Sequence, residues 1–143
     1  MWYNRLILRL LRSPLHFMLS RGMLILRITG RKSGKRIEVP VNYTMDPDTP
    51  KLLLITSQPE RTWWRNLRGG AQLDLCLRGR WMTCWGEAFD DPDRVEQGLF
   101  SIFNSKPAIA RYFDVRRDEP GAWNVEDLER AALSRILVQI KLP

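Results

Sequence analysis

Histidine is all but missing from this chain: His16 is the only one. A single imidazole in a leading helical stretch cannot build a Ser-His-Asp triad or a multi-histidine metal site, so both chemistries are set aside. Cysteine is nearly as scarce. Cys76 and Cys84 lack the Cys-x-x-Cys spacing of a zinc clip, and the hairpin described below does not bring them face to face. They read as reduced, buried thiols of a cytosolic protein. No metal site is expected. Long apolar runs are also absent. The opening stretch "MWYNRLILRLLRSPLHFMLSRG" is interrupted by Arg5, Arg9 and Arg12, too often for a membrane-spanning helix, and it carries no small-residue cleavage site of a secretion signal. Acid is scarce at the front, where residues 1–40 hold nine Lys or Arg against Glu38 alone.

What is present is ordinary in bulk. The 143 residues are 44% hydrophobic and 27% charged, enough for one domain with its own core. The net charge of +7 is concentrated in the basic front. Such a bias suits a polyanionic ligand, nucleic acid, an acidic membrane surface, or simply water.

Two segments are expected. Residues 1–21 form a helical lead: Arg5, Arg9 and Arg12 recur on one face, with Tyr3, Leu6, Ile7, Leu10 and Leu11 opposite. Ser13-Pro14 marks a second short helix. The apolar face can cover the domain's own core, a partner subunit or a membrane surface. From Met23 the period changes to two, and residues 22–143 form the main domain. Strands are expected over 23–29, 36–45, 51–57, 71–77, 80–89 and 135–141, the fourth and fifth joined by Arg78-Gly79 with Leu77 facing Arg80. That register puts Leu73, Leu75, Met82 and Cys84 on the buried face. Trp81 and Trp85 then share the other face, which something should cover. Short helices are expected over 60–67, 91–105, 107–113 and 124–133, with a polar loop over 114–123. Six strands joined mostly by hairpins predict an antiparallel sheet curled into a small barrel, an α+β fold with helices outside, not alternating βαβ units.

The segment "ITGRKSGKRIEVPV" is the densest chemical signal. Gly30 and Gly34 permit a sharp turn that gathers amide donors around an anion, Arg31, Lys32, Lys35 and Arg36 supply charge, and Thr29 and Ser33 supply hydroxyls. It is not a Walker loop: three residues separate the glycines, Lys35-Arg36 follows, and a strand comes next. A basic surface turn is the plain alternative. Downstream, Trp63-Trp64-Arg65-Asn66-Leu67 follows Thr56-Ser57 at a strand end, so rings, an amide and hydroxyls gather where a planar ligand could lie. The tryptophans filling the core at a helix–barrel junction is the competing reading.

Taken in order and spacing, "TGRKSGKRIEVPV", the "TS" strand end, "TWWRNLRGGA" and "LRGR" resemble the deazaflavin-dependent nitroreductases, also called the coenzyme F420-dependent quinone reductase family. The similarity runs from Met23 to Glu87, and more loosely to the closing "RILVQIKLP". It implies a split β-barrel of the flavin-reductase type. It also implies that Arg31, Lys32, Ser33, Gly34 and Arg36 hold the cofactor's phosphate and acidic tail. The backbone of Ile37, Glu38, Val39, Pro40 and Val41 would run along the deazaflavin ring. Thr56, Ser57, Trp63, Trp64, Arg65, Asn66 and Leu67 would line the ring and its lactyl-phosphate arm.

The family's closing motif Tyr-Pro-x-Tyr-x-x-Tyr, set on Pro107, meets Lys106, Ile109 and Tyr112, so only Tyr112 matches. It is the catalytic candidate, with Tyr112 or solvent giving the proton, and the loss to Ile109 of the middle tyrosine, the family's proton donor or substrate-orienting group, sets nitro-prodrug reduction apart from cofactor binding. The expected activity is hydride transfer from reduced coenzyme F420 to a small electron-poor acceptor, a quinone, an enone or a nitro compound, with the cofactor carrying the chemistry.

FMN in place of the deazaflavin is the near alternative. A non-enzymatic cofactor or lipid carrier at an acidic membrane surface, docked through residues 1–20, is the distant one. Nucleic acid is not expected as a partner, because the aromatics sit among apolar neighbours. A homodimer, and a cytoplasmic location peripheral to the inner face of the membrane, complete the expectations.

Overall fold

A computed structural model describes Arg5, residues 22–119 and residues 122–143. The expected helices in the first twenty-one residues therefore fall outside the described residues, apart from helical Arg5.

The alternation that begins at Met23 becomes β1 (Met23–Thr29), with Leu24, Leu26 and Ile28 turned inward. It pairs antiparallel with β2 (Arg36–Asn42), from Met23 opposite Asn42 to Thr29 opposite Arg36. Pro40, which has no N–H, lies in β2 at the sheet edge, where a missing donor costs least. β3 (Thr44–Met45) and β4 (Leu52–Ser57) form the opposite edge. β5 (Ala71–Leu77) and β6 (Arg80–Phe89) are the expected hairpin, with Leu77 facing Arg80 and both Arg78 (φ 52°) and Gly79 (φ 77°) left-handed, as a two-residue turn of this hand requires. The short β7 (Arg117–Glu119) and β8 (Ala122–Trp123) pair only with each other. β9 (Ile136–Lys141) lies between β6 and β4. The main sheet runs β2-β1-β5-β6-β9-β4-β3, antiparallel throughout, and curls into a split barrel.

Its two edges are neighbours in sequence. The single strand expected over 36–45 is instead two: β2 pairs with β1, the chain breaks at Tyr43, whose N–H donates to the Gly22 carbonyl at 2.9 Å, and β3 then pairs with β4. One chain crossing from edge to edge closes the barrel. The period-two pattern is continuous through Tyr43, so only tertiary pairing reveals the break.

Inside lie Leu24, Leu26, Ile28, Leu53, Ile55, Leu73, Leu75, Cys84, Val138 and Ile140, plugged by Trp63, Trp64 and Leu67 from a 3-10 helix (Trp63–Leu67). On the outer face Leu52, Leu54 and Leu137 pack under α1 (Pro92–Ser105) and α2 (Val125–Leu133). Each such buried side chain contributes about 1.5–3 kcal/mol. Gly98 lets α1 settle on β9, since a Cβ there would stand 2.5 Å from Leu137 Cδ2. Asn124 caps α2, its Oδ1 accepting from the Asp127 N–H at 2.9 Å.

A further expectation is corrected, and another is met only in part within the single chain. The polar loop expected over 114–123 contains the β7–β8 ribbon, held as Arg117 stacks 4.4 Å from the Trp123 ring and the indole N–H donates to Asn104 Oδ1 at 2.9 Å. The tryptophan face of the β5–β6 hairpin is only partly covered: Trp81 remains 38% exposed beneath the Arg27 guanidinium, and Trp85 is 51% exposed against Gly70.

Candidate functional site

The turn between β1 and β2 is built by its own hydrogen bonds. The Gly30 N–H donates to the Lys35 carbonyl at 2.7 Å, the Gly34 N–H to the Gly30 carbonyl at 2.8 Å, and the Lys35 N–H to Ser33 Oγ at 3.2 Å. Gly34 sits at φ 70°, where side chains are strained. At Gly30 a Cβ would come within 3.0 Å of Ser33 Oγ and 3.3 Å of the Lys35 carbonyl.

This turn meets the Trp63–Leu67 helix through one side chain. Asn66 Oδ1 accepts from the Arg31 N–H at 3.0 Å, and Asn66 Nδ2 donates to the Trp63 carbonyl at 3.1 Å. Between the two motifs lies a cavity of about 240 Å³, lined by Gly30, Arg31, Lys32, Ser33, Ile37, Thr62, Arg65 and Asn66. Three cations and two hydroxyls face it, and among the described residues no carboxylate does. Among the described residues Arg31, Lys32 and Arg65 have no ion-pair partner. The donor set suits phosphate or carboxylate oxygens. Its volume falls below the roughly 300–1,000 Å³ of whole-ligand pockets, so it fits an anionic group, not a fused ring system.

A second cavity, about 430 Å³, opens on the outer face between β3, β4, the end of α1 and the 3-10 helix Pro107–Phe113. Tyr43, Tyr112 and Phe113 supply rings, Leu54, Ile102 and Ile109 supply apolar wall, and Lys106, Asn42, Thr44 and Thr56 supply polar groups. Lys106, Ile109 and Tyr112, the three positions set against the tyrosine motif, thus line one space. Tyr112 is 69% exposed, and its hydroxyl accepts from Arg111 at 3.3 Å, which leaves the phenol proton available. Sequence reasoning did not propose Tyr43, Thr44 or Lys106 for a site. Nothing in a buried strand residue or a helix-terminal lysine announces a cavity.

The remaining candidates are dispersed. Arg36 lies across the sheet with Arg27, Thr29, Gln72, Asp74 and Thr83 around a separate polar cavity, and Glu38 on the same face pairs with Arg27 at 3.7 Å. Val41, Trp63, Trp64 and Leu67 are buried in the barrel core, with Val39 packed against it. Both tryptophans follow the core reading, although the Arg68 guanidinium reaches 4.8 Å from the Trp64 ring. Ser57 is buried and donates to the Gln58 carbonyl at 3.1 Å, while its neighbour Thr56 faces the larger cavity.

Cys84 offers no nucleophile: burial, reinforced by Asp74, pushes its thiol up to about 11. Asp127 is held down to about 2 by hydrogen bonds from Arg116, a pair that ties α2 to the β7 approach and touches neither cavity. Among the described residues no three metal-ligating side chains gather, and no helix is long and apolar enough to cross a membrane.

No family model and no curated protein matches the sequence. Solved structures do match in shape. A chain described as a domain-swapped dimer overlays at a TM-score of 0.55 with 16% identity, covering 96% of both chains. The FAD and heme binding protein from Mycobacterium smegmatis overlays at 0.53 with 12% identity, over 87% of this chain and 62% of that one. An F420-H2 dependent reductase gives 0.49 with 15% identity, over 85% of this chain and 96% of that one. The two overlays above 0.5 establish a shared fold; at such identities none of the three establishes a cofactor or a reaction.

Proposed function

We propose that the chain is a deazaflavin-dependent oxidoreductase that reduces a small electron-poor acceptor. The observation that carries the reading is the meeting of the "GRKSG" turn and the "WWRNL" helix around one cavity whose cations lack carboxylate partners among the described residues. Arg31, Lys32 and Arg65, with Ser33 and Thr62, would hold the phosphate and the oligoglutamate tail of coenzyme F420. When bound in reduced form, that coenzyme supplies a hydride, which with one proton converts a quinone to a hydroquinone. The chain's own part is placement and charge. Asn66 fixes the turn against the helix, the buried Trp63, Trp64 and Leu67 keep that helix rigid, and Tyr112, exposed at the mouth of the larger cavity, offers a proton where an acceptor could lie. Ile109 offers none, so the reading favours quinones and enones over nitro compounds.

The FAD-binding neighbour favours a second reading, in which FMN takes the same anion cavity. Titration of the full chain with coenzyme F420 and with FMN, followed by fluorescence, separates them. Saturable binding of the deazaflavin at micromolar concentration, tighter than FMN, supports the first reading, and tighter binding of FMN supports the second. Binding of neither at tens of micromolar removes both. The homodimer and the membrane-surface role of residues 1–20 are tested by sedimentation, of the chain alone and with anionic vesicles, with and without those residues.

A further inference from the structure

The larger cavity has a feature that hydride transfer does not require: a lysine set among rings. Lys106 is half-buried at the C-terminal end of α1, where its backbone N–H donates to the Ile102 carbonyl at 2.8 Å. Its Nζ donates to the Tyr43 carbonyl at 3.0 Å and stands 5.7 Å from the centre of the Tyr43 ring. An ammonium has three donors. The carbonyl takes one, and among the described residues neither a second acceptor nor a carboxylate partner is present for Lys106. Among the described residues no acid lines the cavity. A cation held in largely apolar surroundings favours an anionic group that comes within reach. Around it stand the rings of Tyr43, Tyr112 and Phe113, walls that a flat ring packs against. The hydroxyls of Thr44, which is 4% exposed, and Thr56 supply further polar contacts. At about 430 Å³ the space lies within the range of small-molecule pockets.

We infer that this cavity binds planar aromatic or quinoid acceptors that carry a negative charge, a carboxylate or an ionised hydroxyl, and that Lys106 determines this preference. The inference deepens the proposed function, since the bound molecule is the acceptor of that reaction, but the binding preference can be measured without the cofactor.

The probes are 2-hydroxy-1,4-naphthoquinone, which is anionic at neutral pH, and neutral 2-methyl-1,4-naphthoquinone, titrated calorimetrically into the full chain. The anion should bind about tenfold or more tightly than the neutral ring, with the margin shrinking as salt rises. Lys106→Met should abolish the preference, and Lys106→Arg should retain it. Equal affinities in the wild type, or an undiminished preference in Lys106→Met, overturn the inference. The wild-type comparison and its salt dependence decide the matter even if Lys106→Met does not fold. Equal affinities in a wild type that still binds the deazaflavin refute this inference alone, whereas a wild-type preference for the anion without deazaflavin binding refutes only the proposed cofactor.

Discussion

Asn66 joins the two halves of the candidate site, and its removal has a calculable cost. Asn66→Ala deletes the acceptor for the Arg31 N–H at 3.0 Å, at the exposed rim, and the donor to the Trp63 carbonyl at 3.1 Å, which is partly buried. At about 0.5–1.5 kcal/mol net for each bond, the loss is about 1–3 kcal/mol, weighted to the low end by the exposed member. For a chain of this size that lowers Tm by about 3–10 °C. Urea unfolding followed by tryptophan fluorescence should show a lower midpoint with an unchanged slope, because the surface exposed on unfolding is the same. The functional consequence separates the joint from mere stability. Asn66→Asp keeps an acceptor for Arg31 but places a negative charge beside Arg31, Lys32 and Arg65, so it should be the more stable variant and the weaker binder of any anion. If both variants unfold at the wild-type midpoint and bind phosphate-bearing ligands as the wild type does, the turn and the helix are not coupled through Asn66.

Other expectations concern the frame. Gly98→Ala should destabilise the protein by about 1–3 kcal/mol despite alanine's better helix propensity, because the new methyl meets Leu137 at 2.5 Å; a raised Tm would show that α1 can shift away. Asp127 titrates at about 2 in the folded protein against 3.8 ordinarily, so its pairing with Arg116 stabilises fully above about pH 4 and is lost as pH falls toward 2. Asp127→Asn should flatten stability against pH in that window, and an unchanged acid limb would contradict the pairing. Cys84, pushed up to about 11, should resist iodoacetamide at pH 8 in the native protein and react only on unfolding; rapid native labelling of Cys84 would contradict its burial.

Much of this architecture could be read from residue order. The period-two run from Met23, the Arg78-Gly79 turn with its register and the Asn124 cap are local devices, and each is found where local chemistry puts it. The edge-to-edge crossing at Tyr43 and the β7–β8 ribbon were not legible, because both depend on partners far away in sequence. Arg36 teaches a narrower lesson. It follows a turn rich in cations and is easily grouped with them, yet alternation from Ile37 already places it on the opposite face, where it joins Arg27 and Asp74. The larger cavity had a partial signature: the tyrosine-motif alignment pointed to Lys106, Ile109 and Tyr112, but Tyr43, at the break between β2 and β3, and Thr56, in β4, join them only in the closed barrel.

The central claim is that Arg31, Lys32 and Arg65 together hold the anionic end of a deazaflavin. The most direct measurement is the affinity of coenzyme F420 for the wild type and for Lys32→Ala combined with Arg65→Ala, each across a range of salt. Loss of two charge-assisted contacts should weaken binding by about 100-fold or more and reduce the salt dependence, with the fold intact by circular dichroism. An unchanged affinity and salt slope in the double variant would contradict the account.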